Sequence, residues 1–282
     1  MKMTYKEFSR SAYEAAFAKE AEKFASKKKR VKAEDVERAA QKEAIKAAIL
    51  NTMKAYPSVE PALIWRGIYE VHVHRKSGLD DKSIIDRVVS ADQSWKKSSG
   101  HAFEEMVKLL SNAALDGSGI EVLLQRDLNT IIKAGELANE PRDISWLKEQ
   151  VKGSVFDLYA TYLDGDKRFC FGCIQSKASI RDRVTRDREP SILAMRSFFW
   201  SVAFVLDGDF LKLPKFKAMA DGGSAEYREN GWHGMYVFSD KYTGERIYPI
   251  HLDFQKFAVH AKKAAQYWKT QRQWFNAEWK AE

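Results

Sequence analysis

Two β-rich runs, Val155 to Leu163 and Lys167 to Lys177, flank Asp164-Gly165-Asp166. Asp and Gly readily adopt the backbone conformations of a tight turn, so the two runs are predicted to fold back as an antiparallel hairpin. Alternation along the second run puts Phe169, Phe171, Cys173, Gln175 and Lys177 on one face, with Gln175 and Lys177 together at its far end. Asp157 interrupts the apolar stretch Val155-Phe156-Asp157-Leu158-Tyr159 and, counted back around the turn, comes opposite residues 174 to 175. A carboxylate and an ammonium group thus meet at one sheet edge. A buried carboxylate needs a ligand or a partner, and two readings stay open. Asp157 and Lys177 form a salt bridge, or Asp157 holds Mg²⁺ while Lys177 orients water for phosphodiester hydrolysis.

The rest of the chain supplies the layers around that hairpin. From Thr4 to about Tyr56 no Gly or Pro interrupts an Ala-, Lys- and Glu-rich sequence, which predicts two helices broken near Ser26 to Lys32. A third helix is expected to start at Ser58 to Pro61 and to end near Lys76, ahead of Gly78. Further helices are predicted at Asp81 to Ala91, Gly100 to Leu115 and Asp143 to Val151, with a buried apolar one from Pro190 to Leu206. Strands fit Ile120 to Leu124, Leu211 to Met219, Gly234 to Phe238 and Arg246 to Leu252, and an aromatic helix fits Phe254 to Trp279. The expected fold class is α/β: a mixed central sheet flanked by helices in residues 93–282, joined to a helical N-terminal region in residues 1–92.

Composition narrows the function classes only partly. Net charge is +8, and residues 1–56 hold 14 basic against 8 acidic residues, a net of +6 that leaves +2 for the remainder. An anionic partner fits that arm, although a solvated helix face fits it too. No run approaches the roughly 18 apolar residues of a membrane span, and the start Met-Lys-Met-Thr-Tyr-Lys-Glu lacks a secretory stretch. A cytoplasmic protein without membrane partners is expected. Cys170 and Cys173 are the two cysteines, too few for a disulfide framework or four zinc ligands; three apart on a strand, they are expected on opposite faces as structural residues. His72 and His74, two apart in a helix, do not share a face for metal. The aromatics Trp268, Trp274, Phe275 and Trp279 are expected in the core or at a dimer contact.

Past the hairpin the chain reads Lys177-Ala178-Ser179-Ile180-Arg181-Asp182-Arg183. This resembles the Lys-x-Ser/Thr-x-Arg-Asp-Arg element of type II restriction endonucleases that cut sites containing CCGG, members of the PD-(D/E)xK nuclease fold. Ser94-Trp95-Lys96-Lys97-Ser98-Ser99-Gly100-His101-Ala102-Phe103-Glu104-Glu105 and Ile174-Gln175-Ser176-Lys177 make it most similar, within that group, to the BsaWI restriction endonuclease family. The resemblance covers most of the chain. It implies Asp157 as the motif aspartate and Lys177 as the catalytic lysine. Two residues before the lysine the general motif carries an acid, and here Gln175 stands instead. In the CCGG group that acid commonly moves to the following helix, which implies Glu189, 189 − 177 = 12 residues on, as second metal ligand. Glu104 matches a further acidic residue, with Glu105 as competitor because neighbours on a helix point about 100° apart.

Arg181, Asp182 and Arg183 are then the implied base readers. Arginine offers a planar fork to guanine O6 and N7, and a carboxylate accepts from cytosine N4. A two-fold homodimer, possibly a higher oligomer on DNA, would present the set to both halves of CCGG. Arg186-Asp187-Arg188 repeats the tripeptide and fits phosphate contacts or helix ion pairs. The resemblance thus implies Mg²⁺-dependent cleavage of double-stranded DNA at WCCGGW or a member of that set, before the first C, leaving 5′ overhangs. The rivals are a nuclease of the same fold with another specificity or a repair role, and a non-catalytic helical DNA-binding protein.

Overall fold

The computed structural model describes residues 3–27, 33–78, 81–138, 144–179, 184–271 and 275–281. The chain separates into two compact units, residues 1–95 and 96–282. Among the described residues no helix is long and apolar enough to cross a membrane.

In the first unit, α1 (Tyr5–Lys27) opens with a capping box: Thr4 N–H donates to Glu7 Oε2 at 2.8 Å, and Glu7 N–H donates to Thr4 Oγ1 at 3.3 Å. With α2 (Ala33–Ala55) and α3 (Pro61–Ser77) it buries Tyr13 and Phe17 against Ala40, Ala44, Ala48, Ile64, Ile68 and Val71. Alanine at every fourth position of α2 lets neighbouring helices approach closely. Pro61 starts α3, and Gly78, at φ 70°, ends it by donating its N–H to the His74 carbonyl. His72 is engaged by the Tyr13 hydroxyl at 3.0 Å. The two helices expected at Asp81 to Ala91 and Gly100 to Leu115 are one, α4 (Lys82–Ala114). The stretch between them holds no proline, and a single interior glycine costs a helix only about 1 kcal/mol.

The second unit is built on six strands in the order β1 (Ile120–Leu124), β2 (Leu158–Asp164), β3 (Lys167–Ser179), β4 (Trp200–Asp207), β5 (Gly234–Val237) and β6 (Ile247–Pro249). β1, β2 and β3 pair antiparallel, and β3 to β6 run parallel, so the sheet is mixed. The predicted hairpin is β2–β3. One face carries α9 (Gln255–Gln271), whose Phe257 packs on Trp200 and Phe204, and Phe103 and Val107 of α4 share that core with Phe171. The other faces α5 (Gln125–Ala134), α6 (Ser145–Lys152), α7 (Val184–Arg196) and α8 (Pro214–Asp221).

Several local expectations are corrected. Ala160 pairs with Gly172 and Thr161 with Cys170, so Phe171 is an extra residue in β3. The bulge breaks the alternation: Phe169, Phe171 and Ile174 pack in one core layer, Cys170 and Cys173 in the other. Phe171 and Cys173 therefore do not share a face, and the two cysteines do. Residues 190–206 form no single helix; α7 ends at Arg196, Phe198 turns the chain at φ 63°, and the apolar run becomes β4. A strand buried on both faces of a parallel sheet has the same continuous apolar signature as a buried helix. Residues 211–219 are a 3-10 turn (Asp209–Lys212) and α8 rather than a strand, because Pro214 is suited to helix position N1. The last helix stops at Gln271, beyond which Phe275 is buried; Trp274 lies outside the described residues.

Candidate active site

Asp157 immediately precedes β2, and its N–H donates to the Ile174 carbonyl at 3.1 Å, the register predicted from the turn. Asp157 Oδ2 accepts the Ser176 N–H at 2.7 Å and the Lys177 ammonium at 2.8 Å. Both side chains are about one-fifth exposed, 19% for Asp157 and 21% for Lys177.

Glu104 reaches the same neighbourhood from α4. Burial raises its carboxyl above the usual range and the Asp157 charge raises it further, while His101, whose Nδ1 is 3.3 Å from Oε2, and Lys177 act the other way. Glu105 turns to the surface and pairs with Arg126. The helical offset between adjacent residues separates the two acids. Two carboxylates that oppose each other's ionisation in a half-buried setting gain from a shared cation.

The other residues implied by the resemblance stand differently. Glu189 is exposed on α7. Arg181, Asp182 and Arg183 lie outside the described residues, between the end of β3 and the start of α7. Among the described residues no three acidic, histidine or cysteine side chains are grouped to hold a metal. Mg²⁺ is often held by one or two carboxylates, with waters and substrate phosphate completing its shell. The oxygen-only set of Asp157 and an acidic neighbour fits such an ion.

Gln175, at the position of the missing motif acid, is 1% exposed. Its Oε1 accepts the Trp232 indole N–H at 2.7 Å, and its Nε2 donates to the Asp187 carbonyl at 2.8 Å. Sequence reading missed Trp232; its only signal was that a buried glutamine must find partners. Arg188 of the second Arg-Asp-Arg donates to the carbonyls of Met219 at 3.1 Å and Glu229 at 2.5 Å, and Arg186 is exposed. Burial pushes the Cys170 thiol up to about 12 and Cys173 upward as well, which suits structural residues.

The pattern of the family described as BsaWI restriction endonuclease type 2 matches residues 141–274. A crystal structure of a pre-specific restriction endonuclease BsaWI–DNA complex is similar at 56% identity and a TM-score of 0.80, covering 99% of this chain and 99% of that chain. A crystal structure of a specific restriction endonuclease AgeI–DNA complex aligns over 91% of each chain at 18% identity and a TM-score of 0.47. No curated protein matches the chain.

Proposed function

The chain belongs to the BsaWI restriction endonuclease family, and from that premise we propose that it hydrolyses double-stranded DNA at a palindromic site with a CCGG core. Membership makes it a type II site-specific deoxyribonuclease and removes the non-catalytic alternative. Our reading of the site is WCCGGW or a member of that set, cut before the first C to leave a four-base 5′ overhang. The observation that carries it is the Asp157–Lys177 pair, fixed at 2.8 Å beside the end of β3 that leads into Lys-x-Ser-x-Arg-Asp-Arg.

Asp157 and Glu189 would hold Mg²⁺, which when bound neutralises charge at the scissile phosphate and favours deprotonation of water. Lys177 orients the attacking water and donates to a non-bridging phosphate oxygen, while Asp157 Oδ2 and its bond to the Ser176 N–H keep the ammonium in place. Glu104 supports the site as a neighbouring acid. Water oxygen attacks phosphorus in line, the P–O3′ bond breaks, and the 3′ oxygen takes a proton, leaving a 5′-phosphate and a 3′-hydroxyl. Arg181 and Arg183 read guanine and Asp182 reads cytosine. A homodimer presents two such sets to the palindrome, with higher oligomers on DNA as a further assembly. Residues 1–92 act as a DNA clamp or a dimerisation region beside the 93–282 nuclease domain, and the enzyme works in the cytoplasm.

Lys177→Ala tests the reading. Cleavage of a plasmid carrying one WCCGGW site should vanish with Mg²⁺ present, while gel-shift binding to the same site persists. A variant that still cuts at the wild-type rate refutes the role of Lys177.

A further inference from the structure

Four residues, 180–183, connect β3 to α7, so the two anchors on either side fix where that connection starts and ends. The first anchor is the sheet: Lys177 pairs with Val205, and Ser179 with Asp207, in the parallel β3–β4 ladder. The second is unusual. Pro190 sits inside α7 and has no N–H, so the Arg186 carbonyl loses its helical partner and the segment ahead of the proline is weakly held by its own ladder. External bonds hold it instead. Gln175 Nε2 donates to the Asp187 carbonyl, and the Arg188 guanidinium bridges the carbonyls of Met219 and Glu229. Gln175 is in turn held by the Trp232 indole, and the Trp232 carbonyl accepts from Asn230 Nδ2 at 2.8 Å. All of this lies within the second unit.

We propose that Gln175, held by Trp232, is a positioning residue for sequence discrimination. It occupies the motif's acid position but spends both ends of its amide on locking α7 to β3, which sets the frame for the connection carrying Arg181, Asp182 and Arg183. The inference rests on the proposed reading of those three as base readers. Major-groove contacts by a rigid guanidinium fork tolerate displacements of only about 0.5 Å, so a slip of either anchor is expected to cost discrimination. Gln175→Met removes both hydrogen bonds at similar volume. Trp232→Phe removes the donor to Gln175 and keeps a ring. Both cut the same chain of bonds, so their effects should not multiply.

The test uses the full chain without divalent metal, measuring Kd for a CCGG duplex and for the same duplex with its central pairs scrambled. In Gln175→Met and in Trp232→Phe the ratio of the two constants should fall about tenfold, the size of one buried hydrogen bond. The double variant should fall no further, and affinity for the scrambled duplex should stay at the wild-type value. Thermal melting checks that each variant is folded; Gln175→Glu, which keeps the acceptor for Trp232 and loses the donor to Asp187, is the second probe if Gln175→Met does not fold. An unchanged ratio in a folded variant overturns the proposal, as does equal weakening on both duplexes. Arg181→Ala, run alongside, separates the two levels. Wild-type discrimination in Arg181→Ala overturns the base-reading assignment and with it the purpose of the network, whereas a lowered ratio there beside an unchanged one in Gln175→Met overturns the network alone.

Discussion

Acidification should loosen the carboxyl-terminal end of the second unit through one histidine. His233 is 2% exposed; its Nδ1 accepts the Ser201 N–H at 3.0 Å, which leaves Nε2 to donate to the Asn276 carbonyl at 2.7 Å. A proton on Nδ1 would face the Ser201 N–H with a second donor and would bring a buried charge close to Arg246. Burial is the main cause that lowers His233 to about 3, and the Arg246 charge adds to it against the opposing pull of the Asn276 carbonyl. An unfolded histidine titrates near 6.5. Because the folded value is the lower one, the stabilisation is complete above about pH 6.5 and is lost as pH falls towards 3. At pH 5, about 1.5 pH units below the ordinary histidine value, the unfolded imidazole is protonated while the folded one is not, a loss of about 2 kcal/mol. Urea unfolding followed by tryptophan fluorescence at pH 7.5 and pH 5.0 measures it, with His233→Gln as the reference that has no imidazole. The wild type should lose about 2 kcal/mol more than the variant between the two pH values. Parallel pH dependence in the two proteins would refute the reasoning.

Other perturbations test other parts of the molecule. Gly172→Ala places a Cβ 3.0 Å from Ala160 Cβ and 3.2 Å from the Trp200 ring, and should destabilise by about 1 to 3 kcal/mol in urea unfolding; a neutral change would mean that the bulge relaxes freely. Glu104→Gln should slow cleavage, while Glu105→Gln, which loses a surface pair with Arg126, should leave the rate unchanged and cost at most about 1 kcal/mol. Equal rates in the two variants would remove Glu104 from the site. Cys170 and Cys173, buried and with raised thiols, should resist iodoacetamide in native buffer and label fully in denaturant, as read by mass spectrometry; native labelling would contradict their burial.

What could be read from the chain followed from local chemistry. The Asp164-Gly165-Asp166 turn folds β2 onto β3 and, to within the one-residue bulge, brings Asp157 to Ile174 and within reach of Lys177. Proline and glycine likewise marked the ends of α3. Two misreadings turned on contacts that the local sequence does not contain. Trp200 to Val205 has the same apolar content in a helix or in a doubly covered strand, and only the β3 and β5 edges on either side decide for the strand. The bulge in β3 lies beside Gly172, which Ala160 and Trp200 approach closely, and no local pattern contains those contacts.

By itself, then, the sequence determined the turn, the hairpin and the pairing of an acid with a lysine, because these depend on residues within one chain reversal. Tertiary structure decided which of two adjacent glutamates faces that pair, which core layer the two cysteines enter, and what Gln175 does at the place of the missing acid. Those outcomes rest on contacts between residues far apart in the chain, such as Gln175 with Trp232 and Arg188 with Glu229. Burial makes such contacts obligatory, since a polar group removed from water must find its partner wherever the fold has placed one.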